Sequence, residues 1–167
     1  STYNNTITTL IDSKNFYIIF DAGDGLHKLD NYIKEEKPIL LFLSHTHLDH
    51  IIGFHTLNKF RFIQGLKIIG YSGIKESLTN IIRHPYTSPF DQILYPIEII
   101  EIEEKNYEKP IPFLAKLLVH SDNCLGFRIR LDNKIITYCT HTGVCPALYE
   151  LSRHADLLIS ECSYKEG

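Results

Sequence analysis

The stretch LFLSHTHLDHIIGF, residues 41–54, brings three histidines and an aspartate together within the six residues HTHLDH, directly after an apolar run. The run ILLFLS, residues 39–44, does not alternate between apolar and polar residues, which predicts a strand buried on both faces. The six residues would then lie on a loop at the end of this strand, where side chains can converge. Because imidazole and carboxylate groups are zinc ligands, we predict a metal site formed by His45, His47, Asp49 and His50.

Composition favours a globular protein. The chain has 167 residues, of which 44% are hydrophobic and 22% charged, which is typical of one domain, here expected to span residues 1–167. The net charge of −3 gives no indication of the basic surface that binds duplex nucleic acid, and a local basic patch stays open as an alternative. No apolar stretch approaches the length of about 18 residues that a membrane span needs, and the first ten residues are polar. We therefore expect no membrane contact and a cytoplasmic location.

The ends of the chain and its cysteines carry two further expectations. The sequence contains no methionine, opens on residues that resemble the middle of a strand and stops on ECSYKEG, so we expect a fragment of a longer protein. Its four cysteines form no C-x-x-C pair, which favours free buried thiols over a zinc knuckle or a redox motif. They are Cys124, Cys139, Cys145 and Cys162.

Strand and helix patterns alternate along the chain. In the first half they predict a hairpin of TITTLI and FYIIFDAG, the helices GLHKLDNYIKEEK, IIGFHTLNKF and IKESLTNIIRH, and the strand LKIIGY. In the second half they predict the strands IEIIEIEE and FLAKLLVH, a hairpin of CLGFRIRL and IITYCT around the tight polar turn DNK, the helix PALYELSRHA with Pro146 in its first turn, and the strand DLLISE. This order is typical of a layered α/β architecture in which two sheets pack face to face with helices outside.

The motif HTHLDH matches H-x-H-x-D-H, and the sequence resembles the metallo-β-lactamase fold hydrolases. The segments at 20–26, 117–131 and 134–162 also resemble elements of this family, so that the similarity covers nearly the whole chain; they are FDAGDGL, LLVHSDNCLGFRIRL and KIITYCTHTGVCPALYELSRHADLLISEC. The resemblance implies the α/β fold class with a four-layer αββα metallo-β-lactamase fold, truncated here at both ends.

The same resemblance implies a set of metal ligands. His45, His47 and His120 would bind one ion, and Asp49 and His50 would contribute to a second. Asp21 would orient a ligand histidine through the ring N–H. The expected cofactor is one or two Zn²⁺ ions, with Mn²⁺ or Fe as alternatives.

Two departures from the family pattern concern the second ion. His141 occupies the position where the family has an aspartate that bridges both metals. The final histidine ligand of the family would follow the strand DLLISE and is not reached. We therefore expect His141 to be at most a terminal ligand and the activity to be impaired.

The segment ADLLISECSY resembles the phosphodiesterase branch of the family, which includes the tRNase Z-like endonucleases. This implies a phosphodiesterase that uses metal-bound hydroxide, with Asp49 and Glu161 as catalytic residues. Its substrate would be a small phosphodiester or a nucleic-acid 3′ end, and the family also allows a homodimer. Residues 50–120 contain no long basic arm for gripping tRNA. A lactonase or thioesterase on the same scaffold and a non-catalytic metal-binding relative stay open as alternatives.

Overall fold

A computed structural model describes residues 8–160 of the chain. It forms two compact units, which divide between Ile102 and Glu103, and each is described by itself. The predictions for the residues before 8 and after 160, among them the start of TITTLI, Glu161 and Cys162, lie outside the described residues.

The first unit contains a five-stranded sheet with the order β1-β2-β3-β4-β5. Its strands are β1 (Thr9–Asp12), β2 (Tyr17–Phe20), β3 (Ile39–Phe42), β4 (Leu66–Tyr71) and β5 (Ile97–Ile102). The first two strands are antiparallel and form the predicted hairpin, whereas each neighbouring pair from β2 to β5 is parallel. Parallel strands place their carboxyl ends at the same edge of a sheet, so residues that follow β2 and β3 are neighbours.

Strand β3 is completely buried, as its unbroken apolar sequence predicts. All four of its side chains are at most 1% exposed, and the two residues that follow, Leu43 and Ser44, are also buried. Strand β2 is buried in the same way. The edge that carries the residues after these two strands is therefore built on the best-protected part of the sheet.

The helices of this unit are shorter and tighter than predicted. The α-helices are α1 (Leu48–Ile51) and α2 (Ile74–Ile81), and the 3₁₀ segments are Asp24–Asn31, Ile52–Lys59 and Phe90–Gln92. The predicted helices GLHKLDNYIKEEK and IIGFHTLNKF are therefore present as 3₁₀ segments, and the first of them ends earlier than predicted, at Asn31. In the second of them Ile51, Phe54, Leu57 and Phe60 are all buried. This spacing of three residues matches the three residues per turn of a 3₁₀ helix.

Gly53 lies where the 3₁₀ segment Ile52–Lys59 approaches the backbone that follows β2. Its N–H donates to the carbonyl oxygen of Ala22 at 2.7 Å. A Cβ atom at position 53 would lie 2.3 Å from the carbonyl oxygen of Gly23 and 2.5 Å from the Cβ of Leu26. Only a glycine fits this contact without movement of the backbone.

Replacing Gly53 with alanine is expected to destabilise the chain by at least about 2 kcal/mol, because the added methyl group overpacks a backbone contact. The midpoint of urea denaturation measures this change. Gly143→Ala is the matched control, since a Cβ at position 143 meets no atom within 4 Å. Equal denaturation midpoints for the two variants would contradict the close approach at Gly53.

The second unit contains a five-stranded sheet with the order β10-β9-β8-β7-β6. Its strands are β6 (Asn106–Tyr107), β7 (Phe113–Leu117), β8 (Leu125–Leu131), β9 (Lys134–Cys139) and β10 (Leu157–Ser160). Only the pair β9–β10 is parallel among the pairs described here. Helix α3 (Pro146–Ser152) begins with proline in its first turn, as predicted, and joins β9 to β10.

The hairpin of β8 and β9 confirms the predicted tight polar turn. Asp132 and Asn133 have φ angles of 49° and 62°, which are required at both central positions of a type I′ turn and are best tolerated by Gly, Asn and Asp. This turn fixes the register of β9 and hence the position of the segment THTG, residues 140–143, which follows it.

Candidate metal centre

Three of the four predicted ligands after β3 lie close together in the first unit. The ring centroids of His45 and His47 are 4.5 Å apart, and those of His45 and His50 are 4.2 Å apart. His45 and His50 are buried, whereas His47 and Asp49 are half-exposed. The three histidine side chains converge as predicted, but only His45 and His47 lie on the loop after β3. The prediction that Asp49 and His50 also lie on this loop was wrong, because both belong to helix α1.

Asp21 is the buried anion of this cluster. It follows β2, is 0% exposed, and has a positive φ of 56°, a conformation that Asp tolerates better than most residues. Its carboxylate accepts hydrogen bonds from the backbone N–H of Ser44 at 2.7 Å, the hydroxyl of Ser44 at 2.8 Å and Nδ1 of His50 at 2.7 Å. The predicted contact of Asp21 with one of these histidines is therefore present, and the histidine is His50.

The contact with Asp21 determines where His50 carries its proton. A carboxylate can only accept, so Nδ1 of His50 must carry the hydrogen that it donates. In the neutral ring the lone pair is then on Nε2, and this atom lies 3.4 Å from Oδ2 of Asp49. His50 is thus a buried imidazole with its metal-binding nitrogen directed toward a second carboxylate.

In the second unit His120 and His141 lie beside each other, with ring centroids 5.5 Å apart. The backbone N–H of Asp122 donates to Nδ1 of His120 at 3.2 Å. His141 follows β9 and has a positive φ of 50°. Both histidine and aspartate are enriched in this left-handed conformation, so the backbone here suits either the observed His141 or the aspartate of the family pattern.

Three of the predicted thiols lie near this pair in sequence and are buried, as expected: Cys124, Cys139 and Cys145. Burial raises the pKa of Cys139 to about 12, which makes it an inert thiol. Burial also disfavours the thiolate of Cys145, but hydrogen bonds from the Leu148 backbone and the Thr142 hydroxyl, among others, outweigh it and lower the pKa of Cys145. Cys162 lies outside the described residues.

The donor atoms within each unit suit a divalent metal ion. Zinc binds imidazole nitrogen and carboxylate oxygen at about 2.0–2.2 Å, which places two ligands of a tetrahedral ion about 3.4 Å apart. In the first unit the ligand atoms of two pairs lie within 4.8 Å of each other, His45 with His47 and Asp49 with His50, and in the second unit those of His120 and His141 do. These imidazole and carboxylate groups could therefore hold a metal after small side-chain movements.

Ser44 contacts Asp21 and His45 but was not among the predicted site residues. The signal for it in the sequence was its position immediately before the first histidine of the motif. Glu161, the second predicted catalytic residue, lies outside the described residues, and its role stays a prediction.

Comparison with known proteins gives the family. The model of the "Beta-lactamase superfamily domain" matches residues 17–166. Ribonuclease BN of Proteus mirabilis is 31% identical over 125 residues, which cover 70% of this chain and 40% of that protein. Ribonuclease Z of Enterococcus faecalis is 30% identical over 130 residues, which cover 72% of this chain and 40% of that protein. The chain thus aligns with about two fifths of the length of these curated relatives.

Solved structures are similar over almost the whole chain. The metallo-β-lactamase fold protein YhfI from Bacillus subtilis has a TM-score of 0.74 at 23% identity and covers 98% of this chain and 66% of its own. The short form of human tRNase Z has a TM-score of 0.66 at 18% identity, covering 93% of this chain and 71% of its own.

A candidate membrane-spanning helix is absent from residues 8–160. The structural similarity confirms the predicted α/β metallo-β-lactamase fold, and the family match over residues 17–166 shows that the chain belongs to the metallo-β-lactamase superfamily of hydrolases.

Proposed function

We propose that this protein is a metal-dependent phosphodiesterase with a cytoplasmic location. The observation that carries the proposal is the group of imidazole and carboxylate side chains at the end of β3. The buried Asp21 holds this group in place by accepting hydrogen bonds from Ser44 and His50. Among the hydrolases of this superfamily, the similarity to ribonuclease Z and ribonuclease BN favours phosphodiester substrates.

We assign the ligands as the motif implies. His45, His47 and His120 would hold one ion, and Asp49, His50 and His141 would contribute to a second. The closeness of His45 to His47 and of Asp49 to His50 supports this assignment. Zn²⁺ is the proposed ion, because the donors are mainly neutral imidazoles, with Mn²⁺ or Fe as alternatives.

The bound metal would supply two things: a water molecule with a pKa lowered to about 7 and a positive charge that polarises the phosphoryl oxygens. The chain's own residues supply position and proton transfer. Asp21 fixes His50 through Nδ1, and Asp49 would accept a proton at Oδ2, which lies beside Nε2 of His50. Glu161 is proposed to assist proton transfer for the attacking or the leaving group, as the family resemblance implies.

The segments around these histidines favour a small phosphodiester with apolar groups. Residues 43–58, 117–127 and 139–152 contain no lysine and no arginine, whereas proteins that bind long nucleic acids neutralise several phosphates with such residues. The same segments expose large apolar side chains instead: Leu48, Ile52, Val119, Val144 and Tyr149. A singly charged diester with an aromatic or aliphatic substituent matches these surfaces better than a tRNA precursor does.

The proposal is tested with four substrates: bis(4-nitrophenyl) phosphate, a tRNA precursor, an acyl-homoserine lactone and an aliphatic thioester. We expect the phosphodiester to be hydrolysed fastest, with activity that is lost on chelation and restored by Zn²⁺. Faster turnover of the tRNA precursor would shift the substrate to a nucleic-acid 3′ end. Faster turnover of the lactone or thioester would replace the proposal with that alternative. Metal binding without any turnover would identify a non-catalytic relative.

A separate prediction concerns His141. A carboxylate can bind one metal with each oxygen and adds a negative charge, whereas a neutral imidazole offers one lone pair and no charge. His141→Asp is therefore expected to raise the metal content toward roughly two ions per chain and to raise phosphodiester turnover by at least about tenfold. Mass spectrometry of the metal content and initial rates measure the two effects.

The matched control for this substitution is His154→Asp. His154 belongs to the same unit, is exposed and has nearly the same φ, 53°. The control therefore makes the same chemical change without touching the proposed ligands. If the natural chain already holds two ions and His141→Asp is no faster than His154→Asp, then His141 is a competent ligand and the comparison with the family pattern fails here.

A further inference from the structure

We propose that Ser44 is a positioning residue. Its hydroxyl donates to Asp21 and accepts from His45, so that one buried carboxylate determines which ring nitrogen carries the hydrogen in both His45 and His50. The side chain of Ser44 lies between these two residues. Its Oγ is 2.8 Å from Oδ2 of Asp21 and 2.9 Å from Nδ1 of His45. The role of Ser44 in catalysis rests on the proposed function, whereas its contacts with Asp21 and His45 are present in the metal-free chain.

The direction of the hydrogen bonds follows from the donors that are present. An ionised carboxylate only accepts, so the single hydroxyl hydrogen of Ser44 must point at Asp21. The Ser44 oxygen can then only accept from His45, and Nδ1 of His45 must carry a hydrogen to donate. The reverse arrangement would leave two acceptor oxygens facing each other at 2.8 Å without a hydrogen between them.

Both histidines therefore have the same tautomer. His50 donates from Nδ1 directly to Asp21 at 2.7 Å, and His45 donates from Nδ1 to Asp21 through the hydroxyl of Ser44. In each ring the lone pair is on Nε2, the nitrogen that would face a metal. Ligand histidines are usually oriented in this way by a direct hydrogen bond to a carboxylate or carbonyl group. Here the single carboxylate of Asp21 orients two rings.

Burial strengthens the arrangement. Asp21, Ser44 and His45 are 0% exposed and His50 is 1% exposed. In such surroundings hydrogen bonds to a charged group are stronger than in water, and water does not compete for the donors. The tautomer of His45 is therefore expected to be set by Ser44 even when no metal is bound.

The variant Ser44→Ala isolates the hydroxyl. It keeps the backbone N–H of residue 44, which donates to Oδ1 of Asp21 at 2.7 Å, and it leaves the contact between Asp21 and His50 in place. Ser13→Ala is the matched control, because Ser13 is a nearly buried serine of the same unit whose hydroxyl donates to the Phe16 carbonyl at 2.8 Å. Both variants make the same chemical change, and only one of them touches the histidines.

The test is the ¹⁵N spectrum of the histidine rings in the metal-free chain at alkaline pH, where neutral tautomers are distinguished. In the natural chain and in Ser13→Ala we expect His45 and His50 to be protonated on Nδ1. In Ser44→Ala we expect His45 to change to a mixture or to the Nε2–H form, while His50 stays unchanged and reports that the fold is intact. An unchanged Nδ1–H signal of His45 in Ser44→Ala would overturn the proposal.

Zinc affinity provides a second readout. Loss of a positioning contact typically lowers metal affinity about 10–100-fold, so Ser44→Ala is expected to bind zinc at least tenfold more weakly than Ser13→Ala. Equal zinc affinities of the two variants would also contradict the proposed positioning role of Ser44. Neither measurement uses turnover, so a failure of the phosphodiesterase proposal leaves both results interpretable.

Discussion

Replacing Asp21 with asparagine is expected to lower the affinity for zinc by about 10–100-fold without unfolding the chain. Asparagine has nearly the same shape and tolerates the positive φ of 56° at this position. Its amide oxygen can still accept from the backbone N–H of Ser44. The amide nitrogen, however, would replace the carboxylate oxygen that now accepts from His50 and Ser44.

This replacement exchanges the hydrogen-bond donor and acceptor between residue 21 and His50. An amide N–H₂ group donates, so Nδ1 of His50 must accept and its hydrogen must move to Nε2, the nitrogen that the metal needs. The free energy of unfolding should also fall by about 1–3 kcal/mol, because charge-assisted hydrogen bonds are lost. Competition with a zinc indicator and urea denaturation measure the two effects.

Asp24→Asn is the control for this prediction. Asp24 lies near Asp21 in sequence, and its side chain is 56% exposed. We expect this variant to behave as the natural chain in both measurements. Wild-type zinc affinity in a folded Asp21→Asn variant would contradict the role of the carboxylate.

Replacing His47 with alanine is expected to remove most of the bound zinc and to reduce phosphodiester turnover to background. His47 contributes one of the few nitrogen ligands proposed for the first ion, so its loss should exceed the effect of losing an outer contact. The fold should survive, because His47 is half-exposed and lies just before α1 rather than in the core.

Metal content after gel filtration and the rate with bis(4-nitrophenyl) phosphate test this prediction. His55→Ala is the control, since His55 is exposed, lies on the following 3₁₀ segment and is not a proposed ligand. A folded His47→Ala variant that keeps the zinc content of His55→Ala would show that His47 is not a ligand.

The sequence predicted those features of the fold that depend on local patterns. The unbroken apolar run at residues 39–44 identified the buried strand β3, and the Asp132–Asn133 dipeptide identified a tight turn. The 3₁₀ geometry was not predicted, because a repeat of three residues also fits one face of an α-helix over one or two turns. The close contact of the segment Ile52–Lys59 with the backbone after β2, between Gly53 and Gly23, joins residues that are far apart in sequence.

The same distinction applies to the candidate site. HTHLDH indicated the histidines because its residues are consecutive, and the family pattern indicated Asp21. Ser44 carried no comparable signal, since its role depends on β2 and β3 being parallel neighbours that bring residues 21 and 44 to one edge. The assignment of His45, His47, Asp49, His50, His120 and His141 as ligands stays a prediction, as does the role of Glu161.

The compactness in sequence of the Asp21 cluster has a consequence for how the protein is made. The described donors to its carboxylate come from Ser44 and His50, and both residues precede the second unit in the sequence. A ribosome adds about 5–20 residues per second, which leaves roughly 5–18 s between the synthesis of His50 and that of His141. The entropy cost of closing a loop grows only slowly with its length, and this segment is shorter than any that reaches the second unit. The three described hydrogen bonds to Asp21 can therefore form before the second pair of histidines has been translated.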